Sequence, residues 1–206
     1  MDFSKLATND QITSSIAALK TNGITAELVE NSAQAKAKVL ELIPKGAEVM
    51  TMTSITLEET GIAEELNESG DYDSVKKKLS GMDREQDGLK MQEIGAAPEW
   101  SVGSVHAVTE DGVVVIASNT GSQLPAYAYG SKNVVWVVST KKIVKDLEQG
   151  MQRIKEHIVP LETERARKAY GLPETFHTFP SKILIVNREV NPGRIHLIFV
   201  NESLGF

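Results

Sequence analysis

An unbroken row of apolar residues, Val134 to Val138, lies between Asn133 and Ser139. A strand with one face in water alternates apolar and polar side chains, whereas this row has no polar member. It therefore predicts a strand, Asn133–Ser139, that is buried on both faces. Strands of this kind belong to parallel sheets that are covered on both sides, so the row favours an α/β fold for the chain.

Helical and strand-like segments alternate in the early part of the sequence. Apolar residues recur at helical spacing from Ile12 to Leu19, and Ser32–Ile43 has the pattern of a second amphipathic helix. A short apolar strand follows each helix, at Ile24–Val29 and at Val49–Met52. This alternation predicts a three-layer α/β domain with a mainly parallel sheet.

The segment 67–99 differs from the rest because it is polar and mostly helical in character. Its predicted helices are Asp71–Leu79 and Asp83–Ile94. Because the segment has too few large apolar residues to form its own core, we interpret it as a helical excursion from the sheet. The whole chain, residues 1–206, is then expected to form one domain, since its length suits a single core.

Strands and helices alternate again after residue 99. The predicted elements are the strands Trp100–Val108, Val113–Ser118, Lys182–Arg188 and Ile195–Val200 and the helices 144–158 and Leu161–Tyr170. Asp111-Gly112 is a tight-turn sequence that joins the first two of these strands. Asn191-Pro192-Gly193 favours a hairpin of the last two.

Composition restricts the kinds of partner. The formal net charge is −6 and the basic residues are scattered among acids, which does not favour nucleic acid or an anionic membrane. The absence of cysteine removes disulfides, thiol nucleophiles and iron–sulfur clusters bound by this chain. No signal peptide is visible at the start of the sequence, and the apolar runs are too short to cross a bilayer. We therefore expect a cytoplasmic protein.

Common cofactor and metal signatures are missing from the sequence. No Gly-x-Gly-x-x-Gly follows a strand, no Gly-Lys-Ser/Thr phosphate loop occurs, and there is no Gly-x-Ser-x-Gly elbow. The four histidines show no metal-ligand spacing such as His-x-x-x-His. We expect neither a cofactor nor a metal site.

Hydroxyl residues cluster where the strand Val49–Met52 ends. They include Thr53, Ser54 and Thr56, and Thr56 with Glu59 three residues later forms a capping-box signal for a helix start. A helix N-terminus has unpaired N–H groups and a partial positive charge, so extra hydroxyls there suit a phosphate or carboxylate. The alternative is that Thr56 simply caps a helix.

Polar loops also leave other predicted strands, and ligands of open α/β sheets bind beyond the carboxyl ends of strands. Glu110, in the loop 109–112, is a candidate general base or nucleophile, with a solvated turn acid as the alternative. The loop 118–122 suits an anion or is a plain flexible loop. The candidate ligand-binding residues are Thr53, Ser54, Thr56, Gly103, Ser104, His106, Thr120, Gly121 and Ser122.

Three segments resemble elements of the lactate-utilisation (LUD) domain family. Residues 53–62 resemble its Ser-x-Thr-Leu-x-Glu-x-Gly-Ile element, and residues 102–112 are similar to its Gly-x-x-x-Ala-Ile-Ala-Glu-Thr-Gly element. Residues 133–148 resemble its strand followed by Lys-Ile-Val-x-x-Leu-Glu. Asp111 stands where the family has Thr, and His106 has no counterpart in the element. The residues that match the first two elements are Ser54, Thr56, Glu59, Gly103, Glu110 and Gly112.

The resemblance implies the fold shared by sugar-phosphate isomerases, CoA transferases and formyltetrahydrofolate cyclo-ligases, with ligand loops at the strand ends. It also implies a link to the utilisation of lactate and related 2-hydroxy acids. Family members called lactate utilisation protein C act with iron–sulfur partners in oxidising L-lactate to pyruvate.

Three functions remain open at this point. The first is binding of a small anionic or phosphorylated metabolite around Ser54, Glu110 and Thr120. The second is a CoA-transferase-like or isomerase-like enzyme in which Glu110 performs the chemistry. The third is a non-enzymatic subunit or regulator of an iron–sulfur oxidoreductase, with self-association to a homo-oligomer as a further option.

Overall fold

The computed structural model describes residues 2–206. The α-helices are α1 (Asn9–Thr21), α2 (Ser32–Leu42), α3 (Ile55–Glu59), α4 (Ile62–Glu68), α5 (Val75–Ser80), α6 (Arg84–Ala96), α7 (Leu147–Arg153) and α8 (Val159–Tyr170). The strands are β1 (Thr25–Val29), β2 (Glu48–Thr51), β3 (Asp73–Ser74), β4 (Trp100–Gly103), β5 (Ala107–Thr109), β6 (Val114–Ser118), β7 (Asn133–Ser139), β8 (Ile143–Val144), β9 (Lys182–Val186) and β10 (Ile195–Val200).

A six-stranded sheet forms the centre of the fold, in the order β1-β10-β7-β4-β2-β3. Each neighbouring pair in this sheet is parallel. β7 lies inside it, and its residues from Val134 to Val138 are fully buried, as the unbroken apolar row predicts. The predicted three-layer α/β fold with a mainly parallel sheet is confirmed.

A second sheet has four strands in the order β8-β5-β6-β9. β5 and β6 pair antiparallel across the tight turn at Asp111-Gly112, where the N–H of Gly112 donates to the carbonyl of Thr109. The predicted single strand Trp100–Val108 is wrong, because the chain leaves the large sheet after Gly103 and enters the second sheet at Ala107. The predicted C-terminal hairpin is also wrong, because β9 pairs with β6 and β10 lies between β1 and β7.

Three apolar clusters bind these layers together. The first contains Trp136 of β7 and fills the space between the two sheets and α1. The second contains the next residue, Val137, on the opposite face of β7, and packs against α2, α3 and α4. The third contains Val115 and joins the second sheet to the segment between α7 and α8. β7 therefore contributes to a core on each of its faces, which explains its uninterrupted apolar sequence.

Several helix boundaries differ from the prediction. The helix after β2 is capped by Ser54, whose Oγ accepts from the N–H of Leu57 at 3.4 Å, so Thr56 lies inside α3 and forms no capping box. In the excursion, the start of the predicted helix Asp71–Leu79 is instead the two-residue strand β3, and α6 has no buried residue.

The helix predicted for 144–158 begins later and continues further. Ile143 and Val144 form β8, and the side chain of Asp146 then caps α7 by accepting from the N–H of Gln149 at 2.9 Å. A π-helical turn, Ile154–Ile158, connects α7 to α8 without a break. α8 ends at Gly171, whose φ of 60° is left-handed and suits glycine.

We expect a large difference in stability between two Leu→Ala substitutions. Leu197 of β10 is fully buried between the sheets, whereas the Leu89 side chain on α6 is 72% exposed. Leu197→Ala should lower the free energy of unfolding by about 2–5 kcal/mol because it leaves a cavity. Leu89→Ala should change it by less than about 0.5 kcal/mol. Urea denaturation checks both values, and equal losses would contradict this packing.

Candidate functional site

A cavity of about 410 Å³ opens at the carboxyl ends of β2 and β4. The segment after β2 forms one wall, the segment between β4 and β5 forms the base, and the end of β6 forms a second wall. The helical run from α7 to α8 and the following loop cover the outer side. The polar residues at its deep end are Ser54, Thr56, Ser104, His106 and Lys142, whereas Thr53 lines the cavity but is exposed.

Lys142 is the central side chain of the deep end. It follows β7 in a short 3₁₀ turn, Thr140–Lys142, and is only 4% exposed. Its Nζ donates to Oγ1 of Thr56 at 3.2 Å and to Oγ of Ser104 at 3.0 Å. One amine thus connects the segments that follow β2, β4 and β7. The sequence analysis does not include Lys142 among the candidate site residues. Its position shortly after a strand buried on both faces is the sequence feature that could have indicated it.

A second cation lies behind the deep end. Arg153, at the end of α7, is fully buried, and its Nη1 donates to the carbonyl of His106 at 2.7 Å. Its Nε and Nη2 have no hydrogen-bond partner. Burial lowers the pKa of Arg153 to about 10, so the guanidinium remains charged at neutral pH.

The charged nitrogens at this end of the cavity form no salt bridge within residues 2–206, although Glu59 lies near enough to act on the charge of Lys142. Among residues 2–206, no carboxylate lies within 4 Å of the charged nitrogens of Lys142 or Arg153. Burial, followed by the charges of Arg153 and Lys141, lowers the pKa of Lys142 well below its ordinary value of 10.5, and Glu59 opposes this shift. Buried cations without a partner are costly, so this arrangement is unusual for a purely structural cluster.

His106 is a neutral imidazole at the base of the cavity. Its Nδ1 accepts from the backbone N–H of Ala117 at 3.2 Å, so the ring proton is on Nε2. Burial, then the charges of Lys142 and Arg153, lowers the pKa of His106 to about 3. The ring is still partly exposed to the cavity, so its Nε2–H is available to a ligand.

The remaining predicted ligand residues are divided between the cavity and its surroundings. Thr120 and Ser122 line the wall opposite Ser54, and their hydroxyls contact each other at 3.1 Å. Gly103 and Gly121 do not line the cavity. A Cβ at Gly103 would overlap the hydroxyl of Tyr127, so this glycine allows close packing rather than ligand binding.

Glu110 does not join this group. β5 starts beside the cavity at Ala107 and runs away from it, so the turn that carries Glu110 lies at its far end. There the Oε1 of Glu110 accepts from Nε2 of Gln11 at 3.0 Å. The expected meeting of Glu110 with Ser54 and Thr120 in one pocket is therefore wrong, because it assumed one strand where the chain changes sheets.

The cavity has an amphipathic entrance. Arg165 and Glu162 form a two-point ion pair there, with Nε–Oε2 and Nη2–Oε1 distances of 2.7 Å each. The guanidinium carbon of Arg165 lies 5.9 Å from the centre of the Tyr170 ring. Phe176 and Phe179 extend this outer part from the loop after α8. The entrance thus offers apolar and aromatic surface with its charges already paired.

Comparison with known proteins agrees with this architecture. The LUD domain model matches residues 12–200. This chain belongs to the LUD domain family. Its structure is similar to the crystal structure of a DUF162 family protein from Deinococcus radiodurans, with a TM-score of 0.58 and 11% sequence identity, over 96% of this chain and 100% of that chain. At this identity the likeness shows a shared fold. No curated protein matches the sequence of the chain significantly.

Several residues that resemble LUD elements have structural roles in this LUD domain. Glu59 accepts a hydrogen bond from the N–H of Gly205 at 2.7 Å, which holds the segment 203–206 against α3. Gly112 has a φ of 81°, and a Cβ there would overlap the backbone of α1. Glu59 thus positions a segment that lines the cavity and Gly112 supports a turn away from it, whereas Ser54, Thr56 and Ser104 line the cavity.

Metal-binding clusters and membrane-spanning helices are two further features for which the structure gives an answer. In residues 2–206, no group of three or more histidine, aspartate or glutamate side chains is arranged to hold a metal ion. No helix in the same part of the chain is long and apolar enough to cross a membrane.

We expect His106 to stay neutral from about pH 5 upward. Its pKa in the folded protein, about 3, is below the ordinary 6.5. Its contribution to stability is therefore full above pH 6.5 and decreases as the pH falls toward 3. Long-range ¹H–¹⁵N NMR of the imidazoles checks this, with His106→Gln to assign the signal. A resonance of His106 that titrates near its ordinary pKa would contradict this environment.

Proposed function

We propose that this LUD domain binds a small anionic metabolite, a carboxylate or phosphate ester, at the deep end of the cavity. The observation that supports this function is a pair of buried basic side chains that form no salt bridge: Lys142, which lines the cavity, and Arg153, which lies behind the lining residue His106. An anion in this place would supply the missing counter-charge in a region of low dielectric, where the attraction is strong.

A contrast within the same molecule strengthens this argument. Arg194 is also buried, but its Nη1 donates to Oε2 of the equally buried Glu189 at 2.7 Å. Its Nε and Nη2 donate to three backbone carbonyls. The fold therefore gives each guanidinium nitrogen of this buried arginine a protein partner, although Arg194 also lines a smaller pocket. The unpaired nitrogens of Arg153, which lies behind the cavity-lining residue His106, are a local exception.

The deep end also presents hydrogen-bond donors. Because the oxygens of Thr56 and Ser104 accept from Lys142, their own O–H groups are free to donate elsewhere. The O–H of Ser54 is also free to donate, since the oxygen of this residue accepts from the N–H of Leu57. Together with Nε2–H of His106, these groups form a set of donors suited to the oxygens of a carboxylate or phosphate.

The size of the cavity favours a metabolite over an inorganic ion. Its volume of about 410 Å³ lies within the range of small-molecule sites. We propose lactate, pyruvate or a related 2-hydroxy or 2-oxo acid as the first compounds to consider, because the family is associated with lactate utilisation. Larger ligands could extend into the aromatic entrance near Tyr170. The alternative that makes Glu110 the catalyst has no support from this geometry.

The first test removes the amine of Lys142. Pyruvate, lactate or phosphate at about one hundred times its dissociation constant should stabilise the wild-type protein by about 2.7 kcal/mol, which corresponds to a rise in melting temperature of roughly 5–10 °C. Lys142→Met should weaken binding at least about tenfold, removing about 1.4 kcal/mol of that gain. Differential scanning calorimetry measures both.

Lys132→Met is the matched control, because this lysine is 76% exposed and pairs with Glu99 on the surface. It removes the same charge and should retain the full stabilisation. The proposed site is wrong if none of the anions stabilises the wild-type protein. It is also wrong if the anions stabilise both variants as much as the wild-type protein.

The second test is the pH dependence of affinity. An anion should raise the pKa of Lys142 from its lowered value, so binding above that value requires uptake of a proton. Affinity should therefore fall as the pH rises. The charges facing this group are those of Arg153, Lys141 and Glu59, while His106 stays neutral. Isothermal titration calorimetry in buffers of different ionisation enthalpy measures the uptake, and an affinity that rises with pH would contradict the assignment.

A further inference from the structure

The position of Lys142 suits covalent chemistry as well as charge recognition. Lys142 lines the cavity, and its Nζ is held between two hydroxyl oxygens, at 3.2 Å from Thr56 and 3.0 Å from Ser104. Hydroxyl oxygens accept from an amine in either protonation state, whereas a carboxylate would fix it as ammonium. We propose that Lys142 is a nucleophile that forms an imine with the carbonyl carbon of a 2-oxo acid in this cavity.

A nucleophilic lysine must be uncharged when it reacts, and its surroundings favour that state. A desolvated amine beside other cations is the usual way in which proteins generate such a lysine. Lys142 meets both conditions, since burial and the charges of Arg153 and Lys141 lower its pKa. Lys45 shows the opposite case. It is exposed, lies 2.7 Å from Asp71, and has a raised pKa because of that pair.

The reaction is balanced without an oxidant or a reductant. The lone pair of Nζ attacks the ketone carbon, a C–N bond forms, and the ketone oxygen gains a proton to give a carbinolamine. Loss of that hydroxyl as water, with the second amine proton, gives the imine. The hydroxyls of Thr56 and Ser104 contact Nζ and are placed to relay these protons.

The choice of a 2-oxo acid over a neutral ketone rests on the proposed anion site. A carboxylate next to the carbonyl would be attracted by the charge of Arg153 while the ketone carbon lies at Nζ. Once formed, the protonated imine is itself a cation and would face the same carboxylate. The substrate class is thus a short carbonyl compound with an adjacent negative charge.

The experiment is reductive trapping on the full-length protein. Wild-type protein is incubated with pyruvate and sodium cyanoborohydride near neutral pH, digested with trypsin and analysed by mass spectrometry. A modified Lys142 is not cleaved, so the adduct appears in a peptide that runs from Lys142 to Lys145. Because the pKa of Lys142 is lowered, more of its amine is neutral near pH 7 than that of an exposed lysine. We therefore expect labelling of Lys142 at least about tenfold faster than labelling of exposed Lys132.

Lys132 in the same digest is an internal control that does not depend on any variant folding. Labelling of Lys142 no faster than Lys132 would overturn the proposal. Lys142→Arg keeps a cation but has no nucleophilic amine, so it should lose the adduct. Labelling of Lys141 or Lys145 in this variant, at the rate seen for Lys142 in the wild-type protein, would also overturn the proposal.

Two further arms separate this inference from the anion site. Lactate has no ketone, so stabilisation by lactate and pyruvate without an adduct would refute the imine and keep the anion site. Hydroxyacetone has no carboxylate. Rapid labelling of Lys142 by hydroxyacetone as well as pyruvate, with no stabilisation by any anion, would keep the nucleophile and refute the anion site.

Discussion

The architecture of the site depends on the hydrogen bonds that Lys142 makes to Thr56 and Ser104. Parallel strands end at a common edge, so the segments after β2, β4 and β7 arrive at the same place. Three adjacent segments do not by themselves form a site, because loops can turn in any direction. The amine of Lys142 gives these segments a shared polar centre, which the surrounding residues enclose.

The energetic consequence of this centre is a local instability within an otherwise well-satisfied fold. Both sheets and the helices that cover them bury continuous apolar surface, and this contributes most of the stability. Arg153 and Lys142 act against it, since each loses hydration without gaining a carboxylate. Groups that reduce stability in this way are found where a protein binds or transforms something, because such sites are arranged for the ligand.

The central sheet could be predicted from sequence because its signal is local. A doubly buried strand needs apolar residues on both faces, and the row from Val134 to Val138 satisfies that condition without reference to any other segment. The change of sheet after Gly103 has no such signal. Both halves of 100–108 are strand-like, and Gly103, where the first strand ends, packs closely against Tyr127, a contact that local sequence does not reveal.

In the candidate site, too, residues with a local sequence signal could be predicted, and residues whose role depends on distant contacts could not. Ser54, Thr56 and Ser104, which the sequence places after strands, line the cavity, because strand ends are predictable from apolar runs. Glu110 was misplaced along with its strand. The sequence does not single out Lys142 and Arg153, because their significance lies in burial without a salt bridge, and distances between segments cannot be obtained from composition or spacing.

The π-helical turn Ile154–Ile158 fixes how the side chains of α8 at the cavity entrance are rotated, about the helix axis, relative to Arg153. It begins directly after Arg153, so it separates the buried guanidinium from Glu162, Arg165 and Tyr170 at the entrance. Each residue of a helix advances about 100° around its axis. Removal of one residue from this turn would rotate the entrance side chains by that angle relative to Arg153. The extra residue in the turn thus keeps one helical run directed toward the same cavity at two depths.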